Sequence, residues 1–175
     1  QEYAKEDRFY VGVRFEIDPH WHLYWKNPGS SGYGIAVDWD LPAGVKAGPL
    51  EWPTPERFEF DGFINYGYSD RVTLLVPIEV DTSLSGEVDL KATVSWLACE
   101  TACVPGSAEL QLRLPRSKVS EPDPAQKAFF EDARAALPEG WSGGPLIYEG
   151  GEGGIRLQIP DREIEEAYFY AEAFG

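Results

Sequence analysis

The stretch Trp96-Leu97-Ala98-Cys99-Glu100-Thr101-Ala102-Cys103-Val104-Pro105 carries both cysteines of a 175-residue chain, with three residues between them. Left extended, four residue steps would hold their Cα atoms roughly 13 Å apart, well beyond the ~4.4–6.8 Å that a disulfide spans. A bridge between them therefore requires a turn. A three-residue hairpin loop of Glu100, Thr101 and Ala102 would set the two cysteines opposite one another on neighbouring strands. One helical turn would also place them on a common face. The ring is small, and on the chain-entropy account a five-residue ring contributes only about 2 kcal/mol, against about 5 for a long loop. Such a bridge is a weak staple and of the short kind that exchanges readily, which favours a redox role over a structural one. The alternatives are an inert local disulfide and two unbridged, buried thiols.

Outward from this turn, Val88 to Trp96 and Ala108 to Leu114 alternate apolar and polar residues, as the two arms of a hairpin would. Residues 8–17 alternate too, with Phe9, Val11, Val13, Phe15 and Ile17 on one side and Tyr10, Gly12, Arg14 and Glu16 on the other, a half-buried strand. Trp21 to Trp25 reads as an aromatic strand broken by Asn27-Pro28-Gly29-Ser30-Ser31-Gly32, and Ile35 to Trp39 as another that turns at Leu41-Pro42-Ala43-Gly44. In the strand from Val72 to Val80, Pro77 predicts an edge or a bulge. Residues 49–70 hold Pro53, Pro55, Gly62 and Gly67 among many aromatics and read as a long ordered loop with room for one short strand.

Short strands with turn signals about every 8–12 residues, and no helix before position 120, predict an all-β chain over residues 8–115: an immunoglobulin-like antiparallel β-sandwich. Residues 116–124 read as a linker. Residues 125–175 read as a helix plus an incomplete second β domain. The helix would run from Pro124 to Leu137, with Asp123 as N-cap and Pro138-Glu139-Gly140 as its stop. Leu146-Ile147-Tyr148, Ile155 to Ile159 and Ala167 to Tyr170 would be strands.

With 15 basic and 30 acidic residues the formal net charge is −15, which opposes nucleic-acid phosphates and anionic membrane surfaces, so neither is expected as a partner. No apolar run approaches the ~18–20 residues that span a bilayer, and no basic-apolar signal segment opens the chain. Methionine is absent even at position 1, so the chain is expected to begin inside a longer product or after a cleaved leader, which fits export. The aromatic end at 167–175 reads as the opening of something larger.

Thiol–disulfide exchange needs an accessible thiolate, a second thiol to resolve the mixed disulfide and surroundings that set the potential, and no metal or organic cofactor. Cys99 and Cys103 supply the two sulfurs; the charge of Glu100 would raise a neighbouring thiol's pKa. His20 and His22, two apart on a strand, would share a face as a metal pair must, but with no third ligand nearby in sequence they read as a polar strand face. Joined to the cysteines they would make a Cys2His2 or Cu(I) site, although the spacing follows no common zinc pattern. Glu51, Glu59, Asp61 and Asp70 are carboxylates available for glycoside hydrolysis, yet such acids are expected on the surface at this composition.

The ordered series Trp21-His22-Leu23-Tyr24-Trp25-Lys26-Asn27-Pro28-Gly29, Leu41-Pro42-Ala43-Gly44, Trp52-Pro53-x-Pro55-x-Arg57-Phe58, Asn65-Tyr66-Gly67-Tyr68 and Trp96-Leu97-x-Cys99-x-x-x-Cys103-x-Pro105 resembles the N-terminal periplasmic region of the DsbD family of thiol:disulfide interchange proteins, and within it the ScsB-like branch. The likeness covers residues 8–115, and the tail is similar to the start of the β domain that follows in that branch. It implies a periplasmic module, the soluble part of an inner-membrane protein, that accepts electrons from a thioredoxin-like domain of its own full-length protein. Through Cys99 and Cys103 it would pass them to oxidised periplasmic disulfide proteins; the resemblance leaves the order open, and the working expectation is that Cys103 attacks or is attacked and Cys99 resolves. The resemblance also implies a cap loop, Glu59-Phe60-Asp61-Gly62, with Phe60 as the ring that shields the cysteines, and it puts Tyr24, Tyr66, Tyr68 and Trp96 near the site. In DsbD proper five residues separate the cysteines; here three do. A non-catalytic immunoglobulin-like binding module with a structural disulfide, and a Cu(I)-binding, copper-tolerance domain, are the competing expectations.

Overall fold

Ten consecutive residue pairs join β1 (Asp7–Glu16) to β7 (Arg71–Val80) antiparallel, and the period-two pattern in both strands decides which side is buried. Val11 and Val13 face inward with Val72, Leu74, Val76, Ile78 and Val80. β4 (Val45–Ala47) adds to the other edge of β7 and completes a three-stranded sheet in the order β1-β7-β4. The structure, a computed structural model, describes residues 7–81, 83–84, 86–115, 124–140, 147–151, 154–158 and 168–172.

The second sheet is built on β8 (Val88–Cys99), whose Leu90, Ala92 and Val94 are buried against the valines of the first. One edge of β8 carries β9 (Cys103–Leu114) along its whole length. The other edge is shared by β3 (Ala36–Asp40), which pairs with residues 91–95, and β2 (His22–Gly29), which pairs with 98–99. β6 (Phe63–Tyr68) and β5 (Glu56–Phe60) continue outward from β2. Two antiparallel sheets face to face over an aliphatic core make an immunoglobulin-like β-sandwich. Each fully buried Leu, Ile or Val in that core contributes about 1.5–3 kcal/mol.

Pro77 is not at an edge, since β7 is the middle strand of its sheet. In an antiparallel strand a residue's N–H and C=O point to the same side. The Pro77 carbonyl accepts from Gly48 N at 2.8 Å, one residue beyond the end of β4, so its missing N–H faces a place where the ladder has already ended. Residues 49–70 likewise depart from the expected loop. They hold the β5–β6 hairpin, closed by Asp61-Gly62 with both residues at positive φ, 50° and 80°, the geometry of a two-residue hairpin turn. Asn27-Pro28-Gly29 does not break β2; it is carried inside the strand by a register shift between Tyr24 and Gly29.

α1 (Pro124–Ala135) begins on proline, which needs no N–H at that position, and lies on the outer face of the first sheet. The Phe129 ring sits over Gly12, where a Cβ would come within 2.7 Å of it, and Ala133 is buried. Arg134 stacks over the rings of Tyr10 and Phe130. The helix belongs to one compact unit with the sandwich; residues 139–171 form another. That second unit contains the hairpin β10 (Ile147–Gly151) and β11 (Gly154–Gln158). The expected third tail strand is absent from Tyr168–Tyr170, which lie in irregular backbone. Asp123, Leu146, Ile159, Ala167 and residues 116–123 lie outside the described residues.

Candidate functional site

The β8–β9 ladder runs through twelve consecutive partners from Val88↔Leu114 to Cys99↔Cys103, and the last pair is a disulfide. Of the two ways to bring the cysteines together, the hairpin is the one adopted: their Cα atoms are 4.1 Å apart across Glu100, Thr101 and Ala102. Pro105 is accommodated because β9, among the described residues, pairs only with β8 and so lies at the sheet edge.

Along β8 the buried side changes partway. Leu90, Ala92 and Val94 face the core, and Trp96 follows them to meet Phe15 edge-on at 5.4 Å. Leu97 and Cys99, of opposite parity, are also buried, and they form a separate cluster with Tyr24 on the other face. The disulfide therefore sits outside the sandwich core. Cys99 is 3% exposed, whereas Cys103 is an exposed residue.

Tyr24, 2% exposed, lies between the bridge and the loop after β2. Its hydroxyl donates to Cys99 Sγ at 3.1 Å and stands 3.7 Å from Cys103 Sγ. Bridged sulfurs carry no proton, so the phenol is the donor. Burial raises the Tyr24 pKa, with a hydrogen bond to Ser31 pulling the other way, and the group stays a donor at neutral pH. Gly32, at φ 93°, lets the loop backbone lie on this ring, since a Cβ there would come within 2.6 Å of it.

His22 is the cross-strand partner of Cys99. Its ring stacks on Phe58 at 4.8 Å and meets Tyr24 edge-on at 5.2 Å, and its Nε2 is buried without a hydrogen-bond partner among the described residues. Burial lowers its pKa below the ordinary 6.5. An unfolded imidazole then binds a proton at a pH where the folded one does not, so stability is lost as the pH falls through 6.5. The urea midpoint of the bridged protein is expected to fall between about pH 7.5 and 5.5, and His22→Gln to flatten that slope. An unchanged slope would assign it to other groups. His20 does not join His22 on a strand face: it occupies the preceding turn at φ 73°.

The remaining expected site residues divide by strand parity. Tyr66 and Tyr68 share the face of Leu23 and Trp25, opposite to Tyr24. Tyr66 meets Trp25 edge-on, and the buried Tyr68 hydroxyl donates to the Pro53 carbonyl at 2.9 Å. Trp96 lies on that inner side too, across Gly106, where a Cβ would come within 2.5 Å of the indole. Glu59-Phe60-Asp61-Gly62 is the tip of the β5–β6 hairpin. Phe60 follows Phe58 on the face that carries the disulfide and is 83% exposed. Glu59 pairs with Arg57 at 2.7 Å, Asp61 and Asp70 occupy positive-φ turn positions, and Glu51 accepts from Tyr10 at 3.2 Å, so each acid considered for glycoside chemistry has a local role. His22, expected beside the cysteines only as part of a metal set, is a site neighbour without His20, and Phe58 is the neighbour the sequence reading missed; the signal was its parity with Tyr24.

The family described as "Thiol:disulfide interchange protein DsbD, N-terminal" matches residues 1–115. The crystal structure of the N-terminal periplasmic domain of ScsB from Proteus mirabilis is similar in fold, with a TM-score of 0.59 and 22% identity over 81% of this chain. The match takes in 53% of that structure's chain, so this chain spans about half its length. None of the curated proteins matches the sequence.

Proposed function

The chain belongs to the DsbD N-terminal family of thiol:disulfide interchange domains, and from that premise we propose that it is a periplasmic electron-relay module with protein-disulfide reductase activity. It takes electrons from a thioredoxin-like domain of its own full-length protein and delivers them to oxidised periplasmic proteins. What carries the reading is the asymmetry of the bridge: Cys103 is exposed, while Cys99 is buried under a phenolic donor at 3.1 Å.

A donor's thiolate approaches Cys103 Sγ and bonds to it, and the electron pair of the broken bridge passes to Cys99 Sγ. Tyr24 already points its O–H at that sulfur, and a hydrogen bond to a charged acceptor contributes about 1.5–3 kcal/mol. The donor's second thiol then releases Cys103, leaving a dithiol. In the forward transfer Cys103 attacks a substrate disulfide, and Cys99 closes back on Cys103 to free the reduced product. No helix among the described residues is long and apolar enough to cross a membrane.

A measured reduction potential tests the reading. An exchanging bridge should lie above about −300 mV, and a structural one below it. Phe60 is 83% exposed in the bridged form and does not cover the sulfurs there; in this proposal the tip closes over the dithiol after reduction, since it shares the face of the sulfurs and turns on Gly62. Phe60→Ala is expected to speed oxidation of the reduced protein by a small oxidant, followed by stopped-flow; an unaltered rate would remove the cover from the mechanism.

A further inference from the structure

Both sulfurs and Tyr24 have tasks in that exchange, and His22 has none. Its Nε2 is buried without a partner among the described residues, an arrangement that costs free energy unless some state of the protein uses it. Phe58 and Tyr24 hold the ring in place at 4.8 and 5.2 Å. Directly opposed residues of an antiparallel pair keep their Cβ atoms about 4.5–5.5 Å apart on one face, and the residue opposite His22 is Cys99. The imidazole thus stands on the strand paired with Cys99 and on the same face as the sulfur that becomes an anion when the bridge opens, with a ring nitrogen left idle in the bridged form.

We propose, resting on the exchange reading, that His22 is the proton-linked partner of Cys99: it takes up a proton as the disulfide opens and holds the released sulfur as the thiolate. The balance is simple. A partner thiolate bonds to Cys103 Sγ, the bridge breaks, its electron pair goes to Cys99 Sγ, and one proton from water goes to the imidazole. A buried anion then faces an imidazolium instead of standing alone. On the return step Cys99 bonds again to Cys103, the partner sulfur leaves with the electron pair, and the imidazole gives its proton back to water.

The other titratable groups facing the ring are Tyr24 on β2, Cys99 on β8 and Cys103 on β9. Glu56 on β5 shares the face and is taken by Ser69 at 2.8–3.0 Å, Lys26 is paired with Glu172 at 2.7 Å, and Glu100 stands in the exposed turn. The thiolate is therefore the charge that opening creates next to the imidazole. Burial keeps the ring neutral in the bridged form at neutral pH, ready to accept.

The chain has two histidines, so proton NMR titration reads His22 directly with exposed His20 as an internal reference. After reduction with dithiothreitol, His22 is expected to titrate about one unit or more higher than in the bridged protein, with His20 unmoved. Equal His22 values in the two forms overturn the proposal. A second arm does not depend on reduction. In Cys103→Ser, ultraviolet thiolate absorbance follows Cys99 alone, and adding His22→Gln should raise the Cys99 titration by about one unit or more; no rise is equally fatal. A bridge that dithiothreitol cannot open in the folded protein would defeat the exchange reading, and the serine pair would still judge His22.

Discussion

Cys99→Ser is expected to turn the chain into a trap: Cys103 attacks an oxidised protein and the mixed disulfide accumulates, because the resolving sulfur is gone. Cys103→Ser is expected to slow reaction with protein disulfides by on the order of a hundred-fold or more, since the rate follows access as well as thiolate fraction. The difference comes from placement. Cys99 is 3% exposed beneath Tyr24 and faces His22 across the ladder, whereas Cys103 starts the edge strand β9 and is open to solvent. Non-reducing electrophoresis after incubation with an oxidised protein reads the trapped species, and stopped-flow reads the rate. Equal trapping through both single variants would show that either sulfur can lead, and the assigned order would fall.

Gly67→Ala is expected to destabilise the protein by about 3 kcal/mol, at the upper end of overpacking costs. Gly67 pairs with Tyr24, and a Cβ there would overlap the Leu23 carbonyl oxygen and crowd the Tyr24 Cα. Those obstacles are backbone, so no side chain can swing aside, and β2 must part from β6 where Tyr24 is anchored. Disulfide opening by dithiothreitol should therefore change along with the urea midpoint. Gly62→Ala is the control: it has nothing within 4 Å but a φ of +80°, and should cost only about 1–2 kcal/mol. A Gly67→Ala protein within about 1 kcal/mol of the parent would mean that the close approach of the two strands relaxes freely.

Much of this architecture could be read from residues alone, where a single local rule applied. The alternation at 8–17 became β1, and the two cysteines could meet on adjacent strands only through a tight turn. Where several rules competed, the reading failed. Prolines and crowded aromatics hid the β5–β6 hairpin, although Asp61-Gly62 between alternating residues is a strong hairpin signal. Pro77 obeyed the rule against ladder interiors only because β4 stops short of it. The site neighbours were harder still. Parity says that Trp96 and Cys99 point opposite ways, but not which side is covered. That depends on Tyr24 and Phe58 arriving from strands far away in sequence, which is why Trp96, Tyr66 and Tyr68 lie on the inner face while His22 and Phe58 flank the sulfurs.

The bridge closes the far end of a ladder that eleven other residue pairs already hold in register. Breaking it loosens a rim, with the beam beneath untouched, so the loaded and unloaded forms are expected to share one skeleton. If the proposed relay holds, a carrier built this way would need no melting and reassembly at each visit.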